Sequence, residues 1–271
     1  MNDADPLPDL DPLVPSTARV YDALLGGRDH FKPDREAADV FLSMVPHARE
    51  AALVNRDAFL RGVQYMVREA GIDQILDIGC GLLTKQRTHE VAQEIDPEVR
   101  VVYVDKDPMA LTHGRALIDT GQTTTVVTGD LRDPSGILAH PQVRAGLDFE
   151  RPIGLIVWML MQVAEAEDPD GIVATLMAPL ASGSHLFIVT WPDTGDPAQR
   201  ALSQACLETL GNGWARPVDR VLKHFQGMPM VEPGLEFVPR WYPGDPGREV
   251  PSAEDLKPFE RTQIAGIAVK P

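Results

Sequence analysis

Three short segments each place a carboxylate at the end of an apolar run. ILDIGCGLLT (residues 75–84) carries Asp77 two positions before Gly79-Cys80-Gly81, VVYVDKDP (101–108) carries Asp105 and Lys106, and VVTGDLRDP (126–134) carries Asp130 and Leu131. A Gly-x-Gly turn lets a ligand approach backbone N–H groups closely. Taken alone it is weak evidence, because many strand-to-helix turns need glycine for steric reasons. The third glycine of the dinucleotide fingerprint is missing, since Leu83 and Thr84 occupy that region. Asp77 sets the sign of the ligand's charge: a carboxylate there suits an amino group and a sulfonium and sits badly beside a pyrophosphate. Asp105 lies 28 positions on (105 − 77), where an acid accepts from both hydroxyls of a ribose. Asp130 is placed to accept from an adenine amino group, with the Leu131 N–H opposite a ring nitrogen.

An adenosine ligand explains the three acids together better than three unrelated turns do. S-adenosylmethionine (SAM) carries the amino group, the sulfonium and the adenosine. The expected cofactor residues are Asp77, Gly79, Cys80, Gly81, Asp105, Lys106, Asp130 and Leu131. Tyr21 and Gly27 are expected to reach the same site from the N-terminal segment, whose paired Gly26-Gly27 suits a hinge or a close backbone approach. No catalytic residue is assigned. His30 beside Asp29 is a weak candidate base, Trp158 and Met159–Met161 are candidates for the acceptor side, and Trp191 stands in the same position after the next run. No metal site is expected. Cys80 and Cys206 form neither a disulfide framework nor a zinc site.

The elements that must position these residues follow from the pattern. Short apolar runs near 74–79, 100–105, 124–128, 153–160 and 185–191 alternate with helical stretches at 84–94, 108–118, 134–147 and 169–181. That alternation implies parallel strands with right-handed crossovers, and a ligand beyond the carboxyl ends of the strands. Runs at 235–241 and 263–269 read as a closing antiparallel pair. Upstream, Ser16 is expected to cap a helix through Leu25, Gly26-Gly27 to stop it, and Pro33-Asp34 to start the next. Pro46 interrupts before a third helix that runs to about Ala70. Asp107-Pro108 and Asp133-Pro134 read as helix caps. The expected division is a flexible arm at 1–15, a helical lid at 16–70 and a SAM-binding Rossmann-like domain at 71–271.

Charge narrows the partners. The chain has 25 basic and 40 acidic residues, a net charge of −15, with no dense basic stripe. Such a surface repels a phosphate backbone, so a small-molecule substrate is expected and nucleic acid is not. No run reaches the roughly 18 residues a membrane helix needs, and the acidic, Pro-rich start lacks a signal peptide's features. The expected location is cytoplasmic. Oligomeric state is not legible.

The order DIGCG, VDKDP, GDLRDP resembles the class I SAM-dependent methyltransferases. More closely, the chain is similar to the SAM-methyltransferase family long catalogued as a domain of unknown function, through PSTARVYDALLGGRDHFKPDREAA (15–38), HEVAQ (89–93), VVYVDKDPMAL (101–111) and VEPGLEFVPRWYP (231–243). The resemblance implies a seven-stranded, mostly parallel Rossmann-like sheet with helices on both faces, its last strand antiparallel, plus an N-terminal helical extension. It also implies methyl transfer from SAM, with the acceptor undefined. Cys80 stands where the family usually has Thr, and Leu83 where it has Pro. Met161-Gln162-Val163 stands where relatives tend to show Leu-His-Phe, so the histidine that is a candidate base there is absent. Two alternatives stay open: a SAM- or nucleoside-binding protein without catalysis, and an NAD(P)-dependent oxidoreductase.

Overall fold

A computed structural model describes residues 9–82, 86–118, 122–158, 160–245 and 247–271. Most of the expected N-terminal arm, Leu83, Thr84 and Met159 lie outside the described residues. Three helices come first: α1 (Thr17–Leu24), α2 (Lys32–Met44) and α3 (Ala48–Arg68). Strand and helix then alternate through β1 (Gln74–Ile78), α4 (Thr88–Ile95), β2 (Arg100–Asp105), α5 (Pro108–Leu117) and β3 (Thr124–Thr128). The chain continues through α6 (Pro134–Ala139), α7 (Pro141–Gly146), β4 (Gly154–Val157), α8 (Pro169–Met177) and β5 (His185–Thr190). It closes with α9 (Pro197–Leu210), α10 (Val218–Lys223), β6 (Glu236–Phe237) and β7 (Ile264–Val269).

The strands form one sheet of order β3-β2-β1-β4-β5-β7-β6. β1 to β5 are mutually parallel, and β7 runs antiparallel to both β5 and β6. The strand order reverses between β1 and β4, so the crevice for a ligand opens at the carboxyl ends of these strands. Side chains along the central strands alternate between two apolar layers: Ile75, Val101 and Tyr103 face one, Leu76, Ile78, Val102 and Val104 the other. Burial on both faces explains why these segments read as continuous apolar runs.

A third apolar cluster ties the N-terminal helices to the rest of the chain. Val20 and Leu24 of α1, Phe41 of α2 and Ala48 of α3 pack with Met161, Trp191, Leu202 and Cys206. Each large apolar side chain fully buried this way contributes about 1.5–3 kcal/mol.

Several boundaries differ from the sequence reading. The helical stretch expected at 134–147 is two helices, because Pro141 lacks an N–H and its ring blocks continuation. β4 ends at Val157, and the apolar continuation 160–162 is a 3₁₀ turn. The run at 235–241 contributes only the two residues of β6. α9 and α10 were not expected. The three caps are as read: Ser16 accepts from the Arg19 N–H, Asp107 from Met109 and Ala110, and Asp133 from Gly136. No described helix is long and apolar enough to cross a membrane.

Candidate cofactor and active site

A cavity of about 550 Å³ lies over the carboxyl ends of β1 to β4, and α1 covers it. Small-molecule sites generally span roughly 300–1,000 Å³. Asp77, Gly79, Cys80, Gly81, Asp105, Lys106, Asp130 and Leu131 all line this cavity, as do Tyr21 and Gly27. The ten sequence-predicted residues, scattered over more than a hundred positions, therefore meet around one space.

Asp77 occupies the penultimate position of β1, where the strand's own pairing buries it. One carboxylate oxygen, Oδ2, accepts from the Thr88 hydroxyl at 2.6 Å. The other, Oδ1, is buried with no partner among the described residues. Burial pushes this carboxyl up to about 6, against the hydrogen bond from Thr88 and the field of the Arg56 guanidinium. A cationic group placed at Oδ1 would supply the missing partner. The ammonium of SAM has that chemistry, so the residues present fit this cofactor.

The glycine turn is set by backbone conformation. Gly79 and Gly81 have φ of 81° and 64°, a region that side chains with a Cβ rarely adopt. The Gly81 N–H donates to Asp105 Oδ2 at 2.7 Å, and the Asp107 N–H donates to Asp105 Oδ1 at 2.8 Å. The two bonds fix the Asp105 carboxylate at the cavity edge. They use two of its roughly four lone-pair sites and leave the rest for a ligand's hydroxyls. Burial raises the Asp105 carboxyl, and these backbone N–H groups oppose the shift. Cys80 is a packed thiol: burial first, then the charges of Asp105 and Asp77, push its pKa well up, so it is no nucleophile.

At the third strand the arrangement is more crowded than the sequence implied. Asp130 Oδ1 accepts from the Arg132 N–H at 3.0 Å and faces the Arg132 guanidinium at 3.4 Å, while Oδ2 meets Lys106 Nζ at 3.3 Å. Burial pushes the Asp130 carboxyl up, but these donors and cations outweigh it and hold it below the usual range. Lys106 reaches the site through Asp130.

The N-terminal segment is held in place by buried charge. Arg19 Nε contacts Asp34 at 2.9 Å and Nη1 contacts Asp107 at 3.4 Å, linking α1 both to α2 and to the loop after β2. Asp34 also accepts from the N–H groups of Ser16 and Phe31. Tyr21 donates to the Ala52 carbonyl at 3.1 Å, and burial pushes its phenol up to about 12, so it is neutral. The paired glycines divide their work. Gly26 has φ of 77° just beyond α1, whereas a Cβ on Gly27 would lie 1.9 Å from Asp22 Oδ1. Gly27 thus makes room for the buried Asp22, which holds His30 Nδ1 at 3.0 Å. His30 does not line the cavity.

Residues that the sequence reading missed complete the walls. Arg56 of α3 lies over the rings of Phe59 and Trp158 at 4.8 and 6.0 Å and donates to the Gln86 carbonyl. Nothing in the sequence separates Arg56 from Arg49 or Arg61. Arg132 donates to the Gln162 carbonyl at 2.7 Å and pairs with Glu167, bringing the turn after β4 against the cavity. Trp158, already a candidate from the sequence, belongs both to the core, edge-to-face on Phe59 at 4.1 Å, and to the cavity wall.

The fold and site define a class I methyltransferase architecture. The chain belongs to the S-adenosyl methyltransferase family, whose model matches residues 3–271. It is a SAM-dependent methyltransferase. The non-catalytic and nicotinamide alternatives give way to that membership. A solved protein from Thermobifida fusca YX, described as a methyltransferase by similarity, is 45% identical with a TM-score of 0.89, covering 95% of each chain. A DUF574 family protein from Streptomyces avermitilis MA-4680 is 33% identical with a TM-score of 0.86, covering 95% of this chain and 98% of that one. PigF, solved with SAH, shares the fold at 17% identity and a TM-score of 0.50, covering 83% of this chain and 66% of its own. No curated protein matches the chain.

Proposed function

We propose that the protein transfers the methyl group directly to a small organic acceptor held beneath α1, and that it acts on no nucleic acid. The observation that carries this reading is the placement of α1: anchored by Arg19 to Asp34 and Asp107, it forms one wall of a cavity of ligand size. A polymer would need an open, basic approach, and the chain's net charge is −15.

When bound, SAM supplies a methyl group already activated by its positive sulfur. The chain's residues hold and orient. Asp77 and Arg56 offer a carboxylate and a guanidinium to the amino-acid end, Asp105 accepts from the ribose hydroxyls, and Asp130 and the Leu131 N–H meet the adenine edge. Gly79, Cys80 and Gly81 let the backbone come close. Tyr21 and Gly27 close the site from above and exclude water. The aromatic faces of Trp158 and Phe59, which carry the Arg56 cation, favour positive charge by about 0.5–2 kcal/mol. Alignment of acceptor and methyl, with water excluded, is the main catalytic work in such a reaction.

The test is to incubate the protein with methyl-labelled SAM and, separately, the small-molecule, protein and RNA fractions of a cell extract. Label is expected in the small-molecule fraction. Label in RNA or protein would contradict the proposal.

A further inference from the structure

Tyr103 stands among valines in the middle of β2 and is fully buried. Packing in the apolar layer with Val101 and Leu111 explains its ring. It does not explain the hydroxyl, since phenylalanine would fill the same space and a buried hydroxyl is costly unless it is hydrogen-bonded. The Tyr103 hydroxyl accepts from the His89 N–H at 2.8 Å and meets His89 Nδ1 at 3.0 Å. Burial first, then the charge of Asp77, push the phenol well up, so it keeps its proton. Burial lowers the His89 pKa, which suits a neutral ring whose Nδ1 accepts that proton's hydrogen bond.

His89 is the second residue of α4, and the first N–H groups of a helix have no partner within it. Arg87, which precedes α4, carries donors only and cannot cap it. The phenol of β2 supplies the missing acceptor from the sheet. The first residue of α4 is Thr88, which is 1% exposed and donates its hydroxyl to Asp77 Oδ2 at 2.6 Å. Among the described residues, Thr88 is the sole hydrogen-bond donor to this carboxylate. Asp77 and Tyr103 are register partners on adjacent parallel strands, so one strand pairing places both the acid and the cap. A threonine has few side-chain rotamers, so anchoring the backbone at His89 also fixes where the Thr88 hydroxyl points.

We infer that Thr88 and Tyr103 are positioning residues for the methyl donor. Tyr103 caps α4 from β2 and so holds Thr88. Thr88 in turn holds one oxygen of Asp77, so that the carboxylate presents the other to the cofactor's ammonium. Thr88 lines the cofactor cavity and Tyr103 does not, so Tyr103 acts only through its neighbours. The other charged groups that bear on Asp77 are Arg56 of α3 and Asp105 at the end of β2, which act on it through space and with opposite signs. The inference rests on the reading of Asp77 as the partner of that ammonium, and deepens it.

The test is calorimetric titration of SAM into the full chain, above the folded Asp77 value of about 6, with circular dichroism to establish folding. The variants are Thr88→Val, Thr88→Ser and Tyr103→Phe, alone and combined with Asp77→Ala. Thr88→Val is expected to weaken SAM binding about tenfold and Tyr103→Phe about threefold, while Thr88→Ser, which keeps the hydroxyl, stays close to the parent. In the Asp77→Ala background neither Thr88→Val nor Tyr103→Phe should weaken binding further, because no carboxylate is left to orient. The midpoint of the affinity-against-pH profile should also move up in Thr88→Val, since the lost donor favoured the charged carboxylate. A residue that only supports the fold would lower affinity equally at every pH. The inference is overturned if Thr88→Val binds SAM as the parent does, if Thr88→Ser is as weak as Thr88→Val, or if the losses persist in full on Asp77→Ala. Asp77→Ala binding SAM as the parent does would sink the reading of Asp77 itself. A weakened Asp77→Ala beside parent-like Thr88→Val and Tyr103→Phe would sink only the positioning.

Discussion

The two sides of the ligand space are built by different rules. On the strand side, each of β1, β2 and β3 delivers one acid at its end, and each acid sits in a segment of about ten residues that can be read in isolation. On the helical side, the walls come from α1, α2 and α3, the turn after β4, the end of β5, α9 and the start of β7. The strand side is therefore written in local motifs. The helical side is written in tertiary packing. A methyl donor is the same molecule for every member of such a family, so its site can be local and stereotyped. The helical walls, by contrast, are assembled from elements far apart in the chain.

The largest effect is expected where the two sides are joined. Arg19→Ala leaves the buried Asp34 and Asp107 without their shared cation. Breaking a buried pair by removing one partner costs about 3–5 kcal/mol. Urea unfolding should show that loss, with SAM binding abolished or severely weakened. A loss below about 1 kcal/mol, in the range of an exposed pair, would mean that the helical side is held by packing alone.

Gly27→Ala probes the helical side itself. The new Cβ would meet the Asp22 carboxylate at 1.9 Å, which forces Asp22 or the chain after α1 to move. Overpacking of this kind costs about 1–3 kcal/mol. Reduced Tm together with weaker SAM binding is expected. Gly247→Ala, where a Cβ meets nothing, should leave both unchanged.

The smallest effect expected is a pH dependence, and it has opposite signs for folding and for binding. The carboxyl of Asp77 rises from 3.8 in the unfolded chain to about 6 in the fold. Folding therefore takes up a proton between those values, and this group favours the folded state most at low pH. Its contribution is lost as pH rises through about 6. The proposed contact with the SAM ammonium needs the charged carboxylate, so affinity should fall as pH is lowered through the same region. Comparing the parent with Asp77→Asn isolates the effect: the Tm advantage of the variant should grow from about pH 5 to about pH 7.5, since only the parent carboxyl titrates across the folded value near 6. A constant difference would show that Asp77 does not titrate there.

How much was legible follows the same division. The strand runs, their parallel order and the three acids could be read because burial on both faces leaves continuous apolar stretches, and because turns after strands demand Gly, Asp or Pro. Ser16, Asp107 and Asp133 were readable as caps because capping is a local interaction. Arg56 was not, since its role depends on where α3 crosses the ends of β1 and β4. The crowding of Asp130 by Lys106 and Arg132 was also hidden, because Lys106 sits 24 positions away on a neighbouring strand end. Asn55 and Gln263 carry no motif, and only the fold brings them to one cavity with Trp191, a candidate for the acceptor side from the sequence.

Asp77 is proposed to keep one buried carboxylate oxygen for the cofactor's cation. Calorimetric titration of SAM into the parent and Asp77→Asn at about pH 7.5, with circular dichroism to establish folding, tests it directly. At least a tenfold loss of affinity is expected, consistent with a charge-assisted contact of about 1.5–3 kcal/mol, together with an apo Tm equal to or above that of the parent. Unchanged SAM affinity in a folded Asp77→Asn would contradict it and reduce Asp77 to a residue of the turn.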